Sequence, residues 1–547
     1  MTALADFTAA ALARWASRLA LAALIVLSGC ASLPGGVVRP PSQAVTDVAA
    51  TPLARAAVQA TPDDQRHLSG LRLLPDGPEA FSARIALARA ARKSLDVQYY
   101  LIVPDDSGRQ FLRELRDAAD RGVRVRLLID DLHAAELDDL LPGLATHDNV
   151  QIRLFNPLPA RTGGFETRLL LSLNEFSRVN RRMHNKLFIA DNSIAVTGGR
   201  NIANEYFMRG EGANFIDMDV ATIGPAVRGL SEVFDRYWNS EQAYPLDTLV
   251  RGIGTREQQR ARFDAWLSRA PDAMPEAQAP TIEVQAPATD AQAHAATVQV
   301  RDAAAPLPGA VDAVAPWRFA SVQIIADEPG KATASAAGMA NAMDSALLLM
   351  GSARSDVLIV SPYFVPGRRG LALMHSAIDH GIRVSVMTNS LAATDEPLAH
   401  WAYMRYRTEM LKMGVSVSEL SPVPNRRFAT TGHTRSSFGR LHAKVAVVDQ
   451  RWLLVGSMNM DGRSSRSNTE VGLVIDDAGL AGEALALMQH HWSQSHYRLR
   501  IADTDGRVEW LASDGTEGDV LRAEPDVPWF RRLRLGVMSL FVSEDLL

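Results

Sequence analysis

The sequence contains little cysteine, no excess of positive charge and no apolar run long enough to cross a membrane. Cys30 is the single cysteine among 547 residues, which excludes intramolecular disulfides and any metal site built from several cysteines. A formal net charge of −5 excludes a general electrostatic attraction to nucleic acid. The apolar run Leu19–Leu27 is shorter than the about 20 residues that span a bilayer. With 47% hydrophobic and 22% charged residues, the chain is globular and long enough for two large cores.

The N-terminus has the pattern of a bacterial lipoprotein signal. Arg14 and Arg18 precede the apolar run, and the tetrapeptide LSGC that ends at Cys30 resembles a lipobox. We therefore expect residues 1–29 to be removed and Cys30 to become the lipidated first residue, on the periplasmic side of a bacterial cell envelope. Ala31 in the next position slightly favours the outer membrane over the inner one. An uncleaved apolar anchor with an incidental cysteine is the alternative.

The remainder of the chain divides by composition and periodicity. PEAFSARIALARAARK predicts a helix and SLDVQYYLIV a strand, and strands that alternate with helices predict α/β layers. Segments rich in Pro, Ala and Gln with little periodicity are typical of tethers and linkers. The predicted divisions are the signal peptide 1–29, a tether 30–66, an N-terminal half 67–270, a linker 271–316, a C-terminal half 317–500 and a C-terminal extension 501–547.

The C-terminal extension ends in a stretch with two interpretations. PWFRRLRLGVMSLFVSEDLL, from Pro528 to Leu547, interleaves arginines with aromatic and aliphatic residues. This pattern predicts a basic amphipathic helix that lies on an anionic bilayer or docks on its own domain.

Two distant stretches repeat one another. MHNKLFIADNSIAVTGGRN, Met183–Asn201, is echoed by LHAKVAVVDQRWLLVGSMN, Leu441–Asn459. The matched positions are all separated by 258 residues, as in 442 − 184 for the histidines. At roughly one in twenty per position, five matches in register do not arise by chance. The repeat therefore predicts a duplicated fold with one shared site, built on His184 and His442, Lys186 and Lys444, Asp191 and Asp449, Gly198 and Gly456, and Asn201 and Asn459.

Each copy predicts a β-hairpin that carries a phosphate site. In the first copy, KLFIAD and SIAVTGG are apolar, β-branched runs joined by a tight turn. Because strand side chains alternate between faces, His184 and Lys186 point the same way. The lysine attracts an anion, and the imidazole can attack phosphorus or transfer a proton. Asn201 and its counterpart Asn459 can donate amide hydrogens to phosphate oxygens.

The pattern H-x-K-x(4)-D-x(6)-G-[SG]-x-N, present twice, resembles the phospholipase D superfamily. RGVRVRLLIDD and HGIRVSVMTNS extend the echo upstream, so that the resemblance covers about Leu71 to Trp492 apart from the linker. NRRMHNKLFIADNSIAVTGGRNIANEYF and NTEVGLVID are most similar to the bacterial cardiolipin synthase C branch. The resemblance implies an α/β fold of two similar halves, each a mixed sheet flanked by helices, packed as a pseudo-dimer around one shared active site.

The resemblance also implies the chemistry of that site. One histidine attacks phosphorus to give a phosphohistidine and the other acts as acid and base, with His184 favoured as the nucleophile and His442 as the acid/base. Lys186 and Lys444 neutralise charge at phosphorus, so neither a metal nor another cofactor is expected. The expected phosphate-binding residues are Asn201, Asn459, Ser457 and Gly199.

The carboxylates have more than one interpretation. Asp191 and Asp449 close the hairpin turns, where Asp is locally favoured, so a structural role is preferred over direct chemistry. In the family, a later acid hydrogen-bonds the histidine ring and fixes its tautomer. Glu470 and Asp217 are the candidates here, and Asp219 competes with Asp217.

A helix is also predicted between Thr394 and Gly414. In the family the equivalent region flanks the site. The resemblance therefore places four of its residues in a head-group pocket: His400, Trp401, Tyr403 and Arg405. For Trp401 and Tyr403, packing in the core is the alternative.

The resemblance implies a phosphatidyltransferase that makes cardiolipin on a bacterial membrane. Its phospholipid substrates would be phosphatidylglycerol and possibly phosphatidylethanolamine, and no nucleic-acid partner is expected. A hydrolytic phospholipase D that releases phosphatidic acid is the near alternative. A phosphodiesterase acting on nucleic acid would require a basic groove with stacking aromatics, which the charge balance disfavours. A non-catalytic scaffold is disfavoured because both histidines and both lysines are present.

Overall fold

A computed structural model describes residues 32–269, 316–333, 341–422, 439–494, 496–512 and 520–528, with residues 530, 532 and 536. The predicted signal peptide and Cys30 lie outside these residues. So do nearly all of the predicted linker and most of the predicted C-terminal helix.

The strands form one long mixed sheet and one short sheet. Eighteen strands join in the order β9-β4-β3-β2-β5-β6-β8-β1-β10-β17-β16-β15-β11-β12-β13-β18-β19-β20, and β7 pairs with β14. The ranges are β1 Ser69–Leu74, β2 Ser94–Tyr99, β3 Arg124–Asp130, β4 Val150–Phe155, β5 Leu187–Ala190, β6 Ile194–Gly198, β7 Asn214–Ile216, β8 Asp219–Ile223, β9 Ala243–Pro245, β10 Arg318–Ala326, β11 Asp356–Val360, β12 Arg383–Asn389, β13 Ser416–Leu420, β14 Gly439–Leu441, β15 Val445–Val448, β16 Trp452–Gly456, β17 Val471–Asp476, β18 His496–Ile501, β19 Val508–Ala512 and β20 Val520–Leu521.

The predicted pair of α/β halves is confirmed, and the two halves share a single sheet. β2, β3 and β4 run parallel in the first half, as β11, β12 and β13 do in the second. The halves meet where β1 pairs antiparallel with β10, with Ser69 opposite Ala320. Gly70 permits this close pairing, because a Cβ there would lie 2.6 Å from Ile223 and 2.9 Å from Phe319.

The helices flank the sheet and begin at recognisable caps. Asp76 and Asp105 accept hydrogen bonds from the first-turn amides of α2 and α3, as N-cap residues do. None of the helices in the described part of the chain has the length and apolar run needed to cross a membrane. Their ranges are α1 Pro52–Ala60, α2 Gly77–Ala90, α3 Asp106–Asp120, α4 Leu141–Leu144, α5 Phe165–Leu171, α6 Phe176–Val179, α7 Pro225–Trp238, α8 Leu246–Leu249, α9 Arg256–Leu267, α10 Ala342–Gly351, α11 Gly367–Asp379, α12 Pro397–Met413, α13 Gly462–Arg466 and α14 Ala478–Gln494.

The segment predicted as a tether differs from that prediction where the structure describes it. Helix α1 lies within it, and the chain before α1 packs on the first half. Arg153 donates to the carbonyl of Pro40 at 2.6 Å and Arg126 to that of Ser42 at 2.9 Å. These partners come from distant strands, so the composition of the segment alone gives no sign of the contacts.

Candidate active site

Short backbone segments next to the repeated motifs form hydrogen bonds between the two halves. β7 of the first half pairs in parallel with β14 of the second, and the amide of His442 donates to the carbonyl of Ile216 at 2.8 Å. On the other side, the amide of His184 donates to the carbonyl of Thr469 at 2.9 Å. Each motif histidine is therefore fixed to the opposite half.

These backbone contacts place each histidine ring next to an acid of the other half. Nδ1 of His184 lies 3.0 Å from Oε2 of Glu470, and Nδ1 of His442 lies 2.6 Å from Oδ2 of Asp217. Asp219, which competed with Asp217 in the sequence, instead pairs with buried arginines. A carboxylate on Nδ1 holds that nitrogen as the proton carrier and leaves Nε2 with a lone pair.

Both motif lysines are buried beside their histidines. Nζ of Lys186 donates to the carbonyl of His184 at 2.7 Å, and Nζ of Lys444 donates to that of His442 at 2.5 Å. Burial lowers the pKa of Lys186 to about 7 and that of Lys444 to about 8. An anion that enters the cleft would stabilise both ammonium groups, so these side chains form a site that favours phosphate.

The histidine rings are held in their neutral form. Burial lowers the pKa of His184 to about 4, with Glu470 opposing the shift and Lys186 adding to it. Burial, together with the charge of Lys444, lowers the pKa of His442 well below its ordinary value, and His184 adds to that effect. Neutral imidazoles have the lone pair that a nucleophile needs.

The structure differs from the prediction that Ser457 and Gly199 bind phosphate. The hydroxyl of Ser457 donates to Oε2 of Glu470 at 2.5 Å and its amide to Val471 at 2.9 Å. The amide of Gly199 donates to the carbonyl of Met218 at 3.2 Å, and a Cβ at Gly199 would collide with the Asp217 carboxylate. Ser457 therefore orients Glu470, and the missing side chain of Gly199 leaves room for Asp217.

The two motif asparagines stay candidates for phosphate binding. Asn201 is buried and donates through Nδ2 to the hydroxyl of Tyr206 at 3.0 Å. Asn459 is also buried, and its backbone amide donates to the hydroxyl of Ser464 at 3.1 Å. Oδ1 of each asparagine is buried without a hydrogen-bond partner.

The motif aspartates lie at the hairpin turns between β5 and β6 and between β15 and β16. Asp191 and its neighbour Asn192 have φ angles of 48° and 46°, as a tight two-residue turn requires. Each carboxylate holds the backbone of a neighbouring strand, as the structural interpretation expects. Asp191 accepts the amides of Arg92, Lys93 and Ser94, and Asp449 accepts those of Arg354, Ser355 and Asp356.

Helix α12 contributes less to the site than one interpretation of its sequence suggested. His400 is buried with Nδ1 3.2 Å from the carbonyl of Asn389. Tyr403 lies in the core of the second half, where its hydroxyl donates to Glu419 at 2.9 Å. The guanidinium of Arg405 stacks on Trp401 at 3.8 Å. For Tyr403 the packing interpretation is therefore the correct one.

Sequence reasoning missed the aromatic walls of the cleft. The ring of Tyr100 lies 5.2 Å from that of His184, edge to face. The rings of Tyr206 and Phe215 lie 5.0 and 4.8 Å from that of His442. Tyr100 follows the carboxyl end of a parallel strand, where ligand sites of α/β sheets collect, and that position is a signal that could have found it. Over the described residues, no cluster of three or more metal-ligating side chains is arranged to hold an ion.

Comparison with known proteins gives relatives along most of the chain. The family described as "Cardiolipin synthase, PLD-like domain" matches residues 85–238 and 347–492. Cardiolipin synthase C of Escherichia coli strain K12 is 35% identical over 87% of this chain and 96% of its own length. Cardiolipin synthase A of Pectobacterium carotovorum strain PC1 is 25% identical over 80% of this chain and 72% of its own.

A solved structure has the same fold. The crystal structure of phosphatidylserine synthase from Haemophilus influenzae Rd KW20 superposes with a TM-score of 0.53 at 16% identity, covering 89% of this chain and 96% of that one. The family match falls once in each half, and each matched segment contains one copy of the repeated motif. The chain thus belongs to the phospholipase D-like cardiolipin synthase family.

Proposed function

We propose that this protein is a phosphatidyltransferase that makes cardiolipin from phosphatidylglycerol. The observation that carries the proposal is the crossed pairing of His184 with Glu470 and of His442 with Asp217, each histidine with an acid of the other half. Two oriented imidazoles are what a two-step transfer at phosphorus requires. The choice of lipid rests on the identity with cardiolipin synthase C over nearly its whole length.

In the first step, Nε2 of His184 attacks the phosphorus of a phospholipid. The bond from phosphorus to the head-group oxygen breaks, and His442 gives that oxygen a proton, so that glycerol or ethanolamine leaves. The phosphate anion of the bound substrate raises the pKa of His442, which allows it to hold that proton. The product of this step is a phosphatidyl group bonded to His184.

In the second step, the head-group hydroxyl of a phosphatidylglycerol molecule replaces the leaving alcohol. His442 takes the hydroxyl proton while the oxygen attacks phosphorus, and the bond to His184 breaks. Cardiolipin is released and both imidazoles return to their starting state. Lys186 and Lys444 stabilise the charge on the five-coordinate phosphorus, and a buried donor in that role contributes about 2.7–4 kcal/mol.

The proposed location follows from the N-terminal pattern. We propose that Cys30 is lipidated and holds the enzyme on the periplasmic side of a bacterial membrane, with the outer membrane slightly favoured. A lipid anchor keeps the cleft close to phospholipid head groups. The net charge of −5 does not favour nucleic acid as a competing substrate.

The proposal is tested by incubating the purified full-length protein with vesicles of phosphatidylglycerol, with and without phosphatidylethanolamine. Lipid mass spectrometry then identifies the products. Cardiolipin without phosphatidic acid is the expected result. Phosphatidic acid alone would show hydrolysis. Untouched lipid, together with cleavage of DNA in a parallel incubation, would show a nuclease.

A further inference from the structure

One half-buried carboxylate after β12 has an oxygen that makes no hydrogen bond within the described residues. The hydroxyl of Tyr363 donates to Oδ2 of Asp395 at 2.7 Å. Oδ1 of the same carboxylate is buried and has no hydrogen-bond partner. A buried carboxylate oxygen without a donor has lost its hydration, so a ligand that supplies the missing donor would stabilise it.

Asp395 lies on the side of the cleft that holds His442. Tyr363 follows β11 and Asp395 follows β12, and these parallel strands end at the same edge of the sheet. Burial lowers the pKa of Lys444, and the Asp395 charge is among the effects that oppose this shift. Asp395 also contributes to the raised pKa of Tyr206, whose ring contacts His442 at 5.0 Å. Asn389, at the end of β12, exchanges two hydrogen bonds with the backbone of Leu441, the residue before His442, at 2.9 and 2.8 Å. The segment that carries Asp395 therefore follows a strand end that contacts the histidine proposed to serve the alcohol.

The first half lacks this arrangement. Ile102 and Phe364 make corresponding bridges to the two motifs, so Leu101 occupies the position of Tyr363. Gly122 and Gly381 set the register of the next strand, which places the exposed Glu136 at the position of Asp395. The Tyr363–Asp395 pair is therefore not a requirement of the repeated fold.

The His184 side has a neutral imidazole and the charges of two arginines near it. His133 lies next to Tyr100, with Nε2 3.1 Å from the tyrosine hydroxyl. Burial lowers the pKa of His133 to about 4, and the charges of Arg182 and Arg463 add to the shift. Positive charge on this side suits a phosphate, whereas the acidic side suits a group that donates hydrogen bonds.

We propose that Asp395 and Tyr363 form the subsite for the lipid head group, where Asp395 accepts a hydrogen bond from a hydroxyl or ammonium of the alcohol that leaves or enters. This subsite deepens the proposed function and rests on it. It assigns the alcohol to the His442 side of the cleft and the phosphatidyl group to the His184 side. A glycerol head group and an ethanolamine head group both carry the donor that Oδ1 lacks.

The test is steady-state kinetics of full-length Asp395→Asn on mixed vesicles, with the surface fraction of one head-group lipid varied at a time. Loss of a hydrogen bond to a charged group weakens binding about tenfold to a hundredfold, so we expect the apparent KM for the head-group lipid to rise by that factor. We expect kcat to fall much less. A rise for phosphatidylglycerol identifies a hydroxyl as the donor, and a rise for phosphatidylethanolamine identifies an ammonium.

Two further variants complete the test. Tyr363→Phe keeps the carboxylate and removes the group that orients it, so its KM should rise in the same direction by a smaller factor. If Asp395→Asn does not fold, the KM of Tyr363→Phe is the test: a rise supports the subsite, and an unchanged KM contradicts it. Glu136→Gln changes the exposed counterpart and should match the wild type.

The subsite is overturned if Asp395→Asn leaves KM unchanged, whether kcat falls or not, because the residue then acts only through His442 or the fold. This failure is separate from failure of the proposed function. Wild-type protein that releases phosphatidic acid without cardiolipin contradicts the transferase, yet the KM for the cleaved lipid still reports on the subsite. Wild-type protein that leaves lipid untouched contradicts both.

Discussion

Nδ1 of His184 lies 3.0 Å from the carboxylate of Glu470, which follows it by 286 residues. The reverse pairing, of His442 with Asp217, spans 225 residues. Each half supplies a histidine and an acid, but the acid of each half contacts the histidine of the other. A half on its own therefore holds an imidazole without its carboxylate, and both halves are needed to complete either pair.

The carboxylate contacts give the first prediction. Asp217→Asn and Glu470→Gln each keep the side-chain shape and remove the charge that fixes the ring tautomer. We expect kcat to fall by about 10²–10⁴-fold in both variants, with KM changed little. The lipid assay of the wild type measures this, with thermal midpoints to verify folding. Normal turnover in either variant would show that its histidine does not depend on the crossed acid.

A second prediction concerns Gly199. An added Cβ would collide with the Asp217 carboxylate and push it from His442. A misplacement of about 1 Å costs about 100-fold in rate, so Gly199→Ala should lose roughly that much kcat. Gly212→Ala is the matched control, since a Cβ there meets nothing within 4 Å. Equal activity in the two variants would contradict the packing argument.

The pH dependence of kcat/KM gives a third prediction. Burial lowers the pKa of Lys186 to about 7 and that of Lys444 to about 8, and both must be protonated to bind phosphate. Activity should therefore fall as pH rises through 7 to 8. Burial lowers the pKa of His184 to about 4, so the neutral nucleophile is lost only as pH falls through that value. Since kcat/KM reports the free enzyme, a plateau that extends to about pH 10 would contradict the account.

A fourth prediction separates the motif aspartates from the chemistry. Asp191 is buried and accepts three backbone amides, so Asp191→Asn should cost about 1–3 kcal/mol of unfolding free energy. Asp449 makes matching contacts at a more exposed turn, and Asp449→Asn should cost less. Thermal unfolding measures both. If Asp191→Asn instead lowers kcat of the folded protein without a change in thermal midpoint, the structural assignment is wrong.

Much of the fold was predictable because its signals are local. The apolar runs on either side of Asp191 predict β5 and β6, and the structure has these strands with the turn between them. The helix predicted from PEAFSARIALARAARK is α2, which ends at Ala90, before the residues that lead into β2. The repeat of the motif predicted two halves with one shared site.

The sequence could not give the contacts that depend on how the halves pair. Glu470 and Asp217 were identified as candidate acids, but their crossed assignment follows from the pairing of β7 with β14 and from the bridge of Met183 to Thr469. Tyr206 reaches His442 from a short 3₁₀ turn whose position no period in the sequence encodes. Ser457 was assigned to phosphate from the family resemblance, whereas its hydroxyl donates to the nearby Glu470.

The central claim is that His184 and His442 act in turn on one phosphorus atom. The most direct measurement uses His442→Asn, which lacks the acid and base of both steps, incubated with phosphatidyl-p-nitrophenol, whose phenolate leaves without a proton, and with phosphatidylglycerol, and analysed by peptide mass spectrometry without acid. A phosphatidyl group on the peptide that contains His184, with little cardiolipin formed, is the predicted result. Wild-type turnover by this variant, or a phosphatidyl group on any residue other than His184, would contradict the account.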